Sequence, residues 1–243
     1  MTPALRLAMW SGPRNISTAM MRAWGNRADT TVVDEPFYAY YLARTGKQHP
    51  LAAEVIAEGE TDWRKVAERL TTAVPESKAI FYQKQMTHHL LPEVSREWLA
   101  GLTNCFLIRD PAEVIASYLK KNDNPSAEDL GFPQQREIFD WVRERNGAVP
   151  PVIDARDVLQ NPERILRLLC ETIGVAFDPA MLRWPPGLRA SDGVWAKHWY
   201  GEVARSTSFQ PYHESDAIVP DQLQKVHKRC RESYEQLFAH RLH

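Results

Sequence analysis

The sequence predicts an α/β protein with three layers, in which a central parallel sheet lies between helices on both faces. Short apolar segments alternate with helical segments along all 243 residues, which is the pattern of parallel strands joined by crossover helices. Hydrophobic residues make up 44% and charged residues 25% of the chain, so a core of ordinary size is expected. No linker or repeat divides the chain, and a single domain over residues 1–243 is therefore predicted.

Five segments carry the apolar and β-branched residues that are typical of buried strands. The second segment is closed by Pro36, because the residue before a proline is restricted and a proline donates no ladder hydrogen bond. The predicted strands are residues 4–10, 30–34, 78–85, 104–110 and 152–157.

Helical segments follow most of these strands. Asp62 and Asp110 are placed to cap two helices, with Pro111 at the first helical position and Glu113 in the first turn. Gly174 suits a helix C-terminus. The predicted helices are residues 17–24, 63–74, 92–102, a helix that starts at 111, 164–174 and 220–238. An aromatic stretch at Phe37, Tyr38, Tyr40 and Tyr41 has no clean period and is predicted as helix or loop, serving either the core or a ligand pocket.

Composition excludes several classes of protein. Lys and Arg total 30 against 31 Asp and Glu, without the basic excess of a nucleic-acid binder, so no nucleic-acid partner is expected. No apolar run approaches the roughly 20 residues of a membrane span, and the N-terminus lacks the features of a secretory signal. The cysteines, Cys105, Cys170 and Cys230, are too few and too far apart for a disulfide framework or a thiolate metal site. These features predict a cytoplasmic protein with neither membrane nor metal.

The loop after the first strand is a candidate anion site. Ligands of open parallel sheets bind at the carboxyl ends of strands, and free N–H groups at a helix N-terminus favour negative charge. The residues concerned are Gly12, Pro13, Arg14, Asn15, Ile16, Ser17 and Thr18. A nucleoside-triphosphate loop would need Gly-Lys where Ser17 and Thr18 stand. The loop therefore predicts either a phosphate-type site without triphosphate chemistry, or a plain turn in which Ser17 caps the helix.

A second candidate anion site follows the fourth strand. Arg109 leaves the strand end, and Ser117 lies two helical turns further on, where both could contact one anion. Arginine binds phosphate with two parallel hydrogen bonds and stays charged in any environment. The alternative is a structural ion pair of Arg109 with Asp110 or Asp34.

Taken together, the two sites resemble those of the sulfotransferase family, over residues 5 to 238. In that family the first loop holds the 5′-phosphosulfate of 3′-phosphoadenosine 5′-phosphosulfate (PAPS), and an Arg and a Ser eight residues apart hold its 3′-phosphate. The resemblance implies a P-loop NTPase-like fold and places Arg14 at the usual lysine. It also implies a catalytic base in Thr87-His88-His89, with His88 favoured over His89, and a displaced catalytic lysine at Lys84.

The family also closes its donor site with a late glycine- and tryptophan-containing loop. Residues 185–209 look similar, and the resemblance implies a lid in which Arg189, Gly193, Trp195 and Lys197 bind the nucleotide. The alternative is a surface turn packed onto the core by its tryptophans.

The resemblance thus implies a sulfotransferase that uses PAPS and no metal, with a small molecule carrying a hydroxyl or an amine as acceptor. Two other functions stay open at this point: a P-loop-type small-molecule kinase, and a nucleotide-binding homologue without catalysis. The sequence does not predict the oligomeric state.

Overall fold

A five-stranded parallel sheet forms the centre of the molecule. The computed structural model describes residues 4–72, 74–214 and 216–243. Its strands are β1 (Leu5–Ser11), β2 (Thr30–Asp34), β3 (Ile80–Met86), β4 (Thr103–Ile108) and β5 (Val152–Asp154). They lie in the order β2-β3-β1-β4-β5, and every neighbouring pair is parallel.

Helices lie between the strands along the chain and also follow the last strand. They are α1 (Ser17–Gly25), α2 (Tyr38–Thr45), α3 (Ala52–Glu58), α4 (Trp63–Thr71), α5 (Pro111–Tyr118), α6 (Phe132–Asn146), α7 (Ala155–Gln160), α8 (Pro162–Thr172), α9 (Ala196–Trp199), α10 (Gly201–Arg205) and α11 (Gln224–Phe238). Within the described ranges, each helix is too short or too polar to cross a lipid bilayer.

The core lies on both faces of the sheet, as the alternation along β1 requires. Leu7 and Met9 join a cluster that contains Trp24 of α1 and the buried side chains of α8. Ala8 and Trp10 point the other way, into a cluster with the buried faces of α4, α6 and α11. Both faces are apolar because helices cover both. The predicted α/β fold with a parallel central sheet is confirmed.

Several predicted ends of elements are also confirmed. The Asp62 carboxylate accepts from the backbone N–H of Arg64 at 2.9 Å, and that of Asp110 accepts from Ala112 at 2.8 Å. Gly174 has a left-handed φ of 75° just beyond α8. The cysteines Cys105, Cys170 and Cys230 are free and buried.

Other predictions from local pattern are wrong. The fifth strand ends at Asp154 rather than at residue 157, because the Asp154 carboxylate accepts from the N–H of Arg156 at 2.8 Å and starts α7. Residues 92–102 contain only a 3₁₀ turn, Glu97–Gly101. Of the two alternatives for the aromatic stretch, helix is confirmed, because Tyr38, Tyr40 and Tyr41 lie in α2 and Phe37 is its N-cap residue. Helices α3, α6, α9 and α10 were not predicted.

Candidate functional site

The loop after β1 lies where the order of the strands reverses. β1 and β4 are neighbours, but the chain continues from β1 to β2 at one edge of the sheet and from β4 to β5 at the other edge. Such a switch point opens a crevice at the carboxyl ends of the strands. Residues 12–16 form the loop between β1 and α1, which begins at Ser17.

The first turn of α1 has no side-chain cap. Ile16 occupies the N-cap position and makes no capping hydrogen bond, so the expectation that Ser17 caps the helix is wrong. Asn15 instead fixes the loop, because its amide donates to the Leu107 carbonyl at 3.0 Å and its Oδ1 accepts from Ile16 N–H at 2.8 Å. The uncapped N–H groups of a helix start favour an anion.

Two glycines let backbone segments meet beneath this loop. A Cβ on Gly12 would lie 2.5 Å from the carbonyl oxygen of Leu130, which is backbone and cannot move aside. A Cβ on Gly131, whose φ is +76°, would lie 2.5 Å from Oγ1 of Thr87. Thr87 Oγ1 donates to the Gly131 carbonyl at 2.9 Å. The loop, the start of α6 and the turn after β3 are therefore held together.

Arg14, Arg109 and Ser117 meet in space. Arg14 Nε donates to Ser117 Oγ at 3.0 Å, and Arg109 Nη1 donates to the Arg14 carbonyl at 2.8 Å. Arg109 also pairs with Glu113 at 2.9 Å, rather than with Asp110 or Asp34. Burial lowers the pKa of Arg14, and the nearby Arg109 lowers it further. A bound anion would relieve both effects.

These residues line part of a cavity of about 450 Å³. We call this part the loop end, formed by residues 13–19 together with Arg109 and Ser117. A second group of lining residues, which we call the histidine end, consists of Glu35, Tyr38, Tyr41, Lys47, His49, Lys84, His88 and His89. The two predicted clusters of polar residues thus share one cavity.

His88 and His89 lie in a 3₁₀ turn, Thr87–His89, directly after β3. The His89 ring stacks between Tyr38 and Tyr41, with ring centroids 4.7 Å away on each side. The centroids of the two histidine rings are 4.3 Å apart. Their Nδ1 atoms are buried, and neither has a hydrogen-bond partner among the described residues. A ligand in the cavity could satisfy them.

Burial keeps both rings uncharged near neutral pH. It lowers the pKa of His88 to about 3, and the neighbouring His49 and Lys47 contribute in the same direction. Burial also lowers the pKa of His89 well below its usual value, with His88 as the next cause. Neutral imidazoles can accept a proton from a reacting hydroxyl.

The ammonium group of Lys84 donates hydrogen bonds to three neighbouring side chains. It donates to Asp34 Oδ1 at 2.8 Å, to Glu35 Oε1 at 2.6 Å and to the hydroxyl of Tyr200 at 2.6 Å. The Tyr200 hydroxyl in turn donates to Asp34 Oδ2 at 2.6 Å. Because an ammonium has three protons, these three partners use all of them. The two carboxylates raise the pKa of Lys84 against the opposite effect of burial.

Glu35 is a cavity residue that reasoning from the sequence missed. It has a left-handed φ of 42°, a conformation that is strained for any residue with a Cβ and that concentrates at functional sites. Burial raises the pKa of its carboxyl, and Lys84 opposes the rise. The signal was present in Asp34-Glu35-Pro36, where two carboxylates end a strand and a proline forces a turn.

The sequence and the fold are both similar to those of known proteins. A family model described as "Sulfotransferase domain" matches residues 5–226. The chain belongs to this family. The fold agrees with that membership. The sulfotransferase domain of the Synechococcus PCC 7002 olefin synthase aligns with this chain with a TM-score of 0.58 and 16% sequence identity. The alignment covers 99% of this chain and 96% of that one. A sulfotransferase from Alicyclobacillus acidocaldarius aligns with a TM-score of 0.57 at 11% identity, covering 99% and 98%.

Two Arabidopsis thaliana proteins are more similar in sequence. "Branched-chain-amino-acid aminotransferase-like protein 1" is 36% identical over 200 residues, which cover 82% of this chain and 36% of that protein. "Branched-chain-amino-acid aminotransferase-like protein 2" is 30% identical over 234 residues, covering 96% and 41%. The chain therefore spans less than half the length of either relative.

The late segment of the chain lines the cavity with residues other than the four that the resemblance implies. Arg189, Gly193, Trp195 and Lys197 do not line the cavity. The Arg189 guanidinium lies beside Gly25 at the end of α1, the Trp195 ring packs edge-on against Tyr38, and Lys197 is exposed. The cavity is lined instead by the residues that follow: Trp199, Tyr200, Glu202, Val203, Ser206, Ser208 and Gln210.

A buried ion pair holds this late segment on α1. The guanidinium of Arg22 donates two hydrogen bonds to the carboxylate of Asp192, at 2.5 and 2.6 Å. Both side chains are almost fully buried, with exposures of 1% and 3%. The same carboxylate accepts from the backbone N–H of Arg189 at 2.8 Å. The segment is thus anchored on α1, the helix that follows the loop after β1.

Proposed function

We propose that this protein transfers a sulfuryl group from PAPS to a hydroxyl or amine of a small acceptor, without a metal. The observation that carries the proposal is the shared cavity, which is lined both by Arg14, Arg109 and Ser117 and by two histidines whose buried Nδ1 atoms have no hydrogen-bond partner among the described residues. A reducing, cytoplasmic compartment is part of the proposal, since the three cysteines are free and buried.

In this proposal the loop end binds the two phosphate groups of the donor. The N–H groups at the start of α1, together with Arg14, Ser17 and Thr18, would hold the 5′-phosphosulfate. Arg109 and Ser117 would hold the 3′-phosphate. The hydrogen bond between Arg14 and Ser117 supports this division, because it joins the two subsites at their boundary.

The donor would supply an activated sulfuryl group. As the bond to the 5′-phosphate breaks, negative charge develops on the bridging oxygen, and the fixed Arg14 guanidinium and Thr18 hydroxyl would stabilise it. His88 would take the proton from the acceptor as the acceptor attacks, with His89 as the alternative base. Lys84, with three partners already bound, would act by holding Glu35 and Tyr200 at the wall of the cavity.

We give the family match priority over the names of the Arabidopsis relatives. The sulfotransferase model covers residues 5–226 of this chain, whereas the chain covers 36% and 41% of those proteins. A kinase function has no comparable support, since Ser17 and Thr18 occupy the positions of the Gly-Lys pair that phosphate transfer from ATP uses.

Calorimetric titration with 3′-phosphoadenosine 5′-phosphate (PAP) tests the donor site. We expect binding in the micromolar range, with ATP plus Mg²⁺ binding more weakly. Absence of PAP binding at millimolar ligand would reject the donor assignment, and stronger binding of ATP would favour the kinase. PAP binding without release of PAP from PAPS in the presence of any acceptor would favour the homologue without catalysis.

A further inference from the structure

The histidine end of the cavity has an uneven distribution of charge. Lys84 faces two carboxylates, Asp34 at 2.8 Å and Glu35 at 2.6 Å. The other ammonium at this end, Lys47, is paired with Asp129. Two ammonium groups therefore face three carboxylates, those of Asp34, Glu35 and Asp129, so one carboxylate is in excess.

Glu35 is the carboxylate that a ligand can reach. Asp34 is 1% exposed, and both its oxygens already accept hydrogen bonds, from Lys84 and from Tyr200. The Glu35 side chain lines the cavity and keeps 12% of its surface exposed, while Lys84 donates to one of its oxygens, Oε1. The strained backbone of Glu35 is held by hydrogen bonds to Lys84 and Tyr38, so its position is well defined.

The remaining walls suit a cation better than an anion. Tyr38, Tyr41 and Trp199 present aromatic surface to the cavity, and aromatic faces attract ammonium groups. Burial lowers the pKa of His49, His88 and His89, so the three rings add no positive charge near neutral pH. Arg14 lies at the loop end, where the phosphates of a bound donor would neutralise it.

Resting on the proposed function, we infer that the acceptor carries an amine, and that Glu35 selects it by pairing with the ammonium group. An acceptor with a carboxylate would meet no unpaired cation at the histidine end and would lie against Glu35. A neutral alcohol of the same shape would not neutralise the excess negative charge at the histidine end. The acceptor class is thus a small aromatic or aliphatic amine that carries a hydroxyl beside the ammonium group and reacts at that hydroxyl, whose proton His88 would take.

Three ligands of matched size test this inference: benzylamine, benzyl alcohol and benzoate. Each is titrated at neutral pH into the full chain, both free and saturated with PAP. We expect benzylamine to bind about tenfold more tightly than benzyl alcohol, which is the effect of one charge-assisted hydrogen bond, and benzoate to bind most weakly. Equal affinities, tighter binding of benzoate, or no binding of any of the three would overturn the inference.

Two variants locate the effect. Glu35→Gln should bring benzylamine and benzyl alcohol to equal affinity, while Glu202→Gln, which removes a cavity carboxylate near Arg14, should keep the tenfold preference. Retained preference in Glu35→Gln would assign the selectivity elsewhere. If Glu35→Gln does not fold, the series on the unmodified chain still decides whether amines are preferred. PAP binding is measured separately, so failure of the donor assignment is distinguishable from failure of the amine preference.

Discussion

The guanidinium of Arg14 lies 3.0 Å from the hydroxyl of Ser117, although 103 positions separate the two residues along the chain. The bond joins the loop after β1 to the helix after β4, and it brings both candidate phosphate sites into one cavity. Arg109 is held in the same place, because its guanidinium donates to the Arg14 carbonyl at 2.8 Å.

Replacing Arg109 by alanine should weaken PAP binding by about 2–3 kcal/mol, because a charge-assisted hydrogen bond to phosphate is lost. Arg109→Lys should recover only part of this loss, since the planar fork is absent. Calorimetry measures both. Arg143→Ala, which removes an exposed ion pair on α6, is the control. Unchanged PAP affinity in Arg109→Ala would place the 3′-phosphate elsewhere.

His88→Ala should lower kcat by about 10²–10⁴-fold, the usual contribution of a general base, and leave PAP binding intact. Release of PAP from PAPS in the presence of an accepted acceptor is the readout. His49→Gln is the matched control, since this histidine is at the same end but is bonded to the Tyr38 hydroxyl at 2.8 Å. If neither His88→Ala nor His89→Ala changes turnover, the base is a different group.

The free energy of unfolding should fall as the pH falls from about 6.5 towards 3. The pKa of His88 is lowered to about 3 in the folded chain, so the unfolded chain binds a proton in this interval that the folded chain does not. Burial raises the pKa of Asp154 to about 6, which acts in the opposite direction between pH 4 and 6. The difference between the chain and its His88→Gln variant isolates the histidine.

Chemical denaturation at several pH values measures that difference. The slope assigned to His88 approaches about 1.4 kcal/mol per pH unit where the unfolded ring is charged and the folded ring is not. A difference that does not vary with pH would mean that the folded and unfolded states bind this proton equally.

Asp192→Ala should destabilise the chain by about 3 kcal/mol or more, because it leaves the Arg22 guanidinium charged, buried and unpaired. The late segment carries Trp199 to Gln210 along the cavity, so PAP affinity should fall as well. The double variant Arg22→Met, Asp192→Leu should recover much of the stability. Glu163→Ala, which removes an exposed pair with Arg167, should change stability by no more than about 0.5 kcal/mol.

Local signals explain which parts of the fold could be predicted. The strands were found because their apolar runs are short and bounded, and the caps at Asp62 and Asp110 were found because capping is decided within three residues. Strand β5 was extended too far because Asp154 both ends it and caps α7. Helix α6 was missed because its buried face, including Ile138 and Phe139, lies among charged residues.

The residues of the candidate site also fall into two groups: those that a local sequence pattern predicts, and those that only contacts between distant segments reveal. The Arg14 loop and the Arg109–Ser117 spacing are short segments, and their patterns can be read without knowing the fold. Glu35 and Tyr200 join the site through Lys84, over separations of 49 and 116 residues, which no local pattern encodes. The late segment was expected to act through Arg189 and Lys197, yet the Arg22–Asp192 pair anchors it so that later residues line the cavity.

The sequence by itself determined the class of fold, the parallel sheet and the two short segments whose residue types suit phosphate groups. These follow from the period of apolar residues and from chemistry within a few positions of the chain. Only the tertiary structure decided that both segments share a cavity with the histidines, and that Lys84 is engaged by two carboxylates and a tyrosine. Contacts between distant segments depend on how helices and strands pack, and burial in that packing determines which side chains stay charged and which remain free to bind.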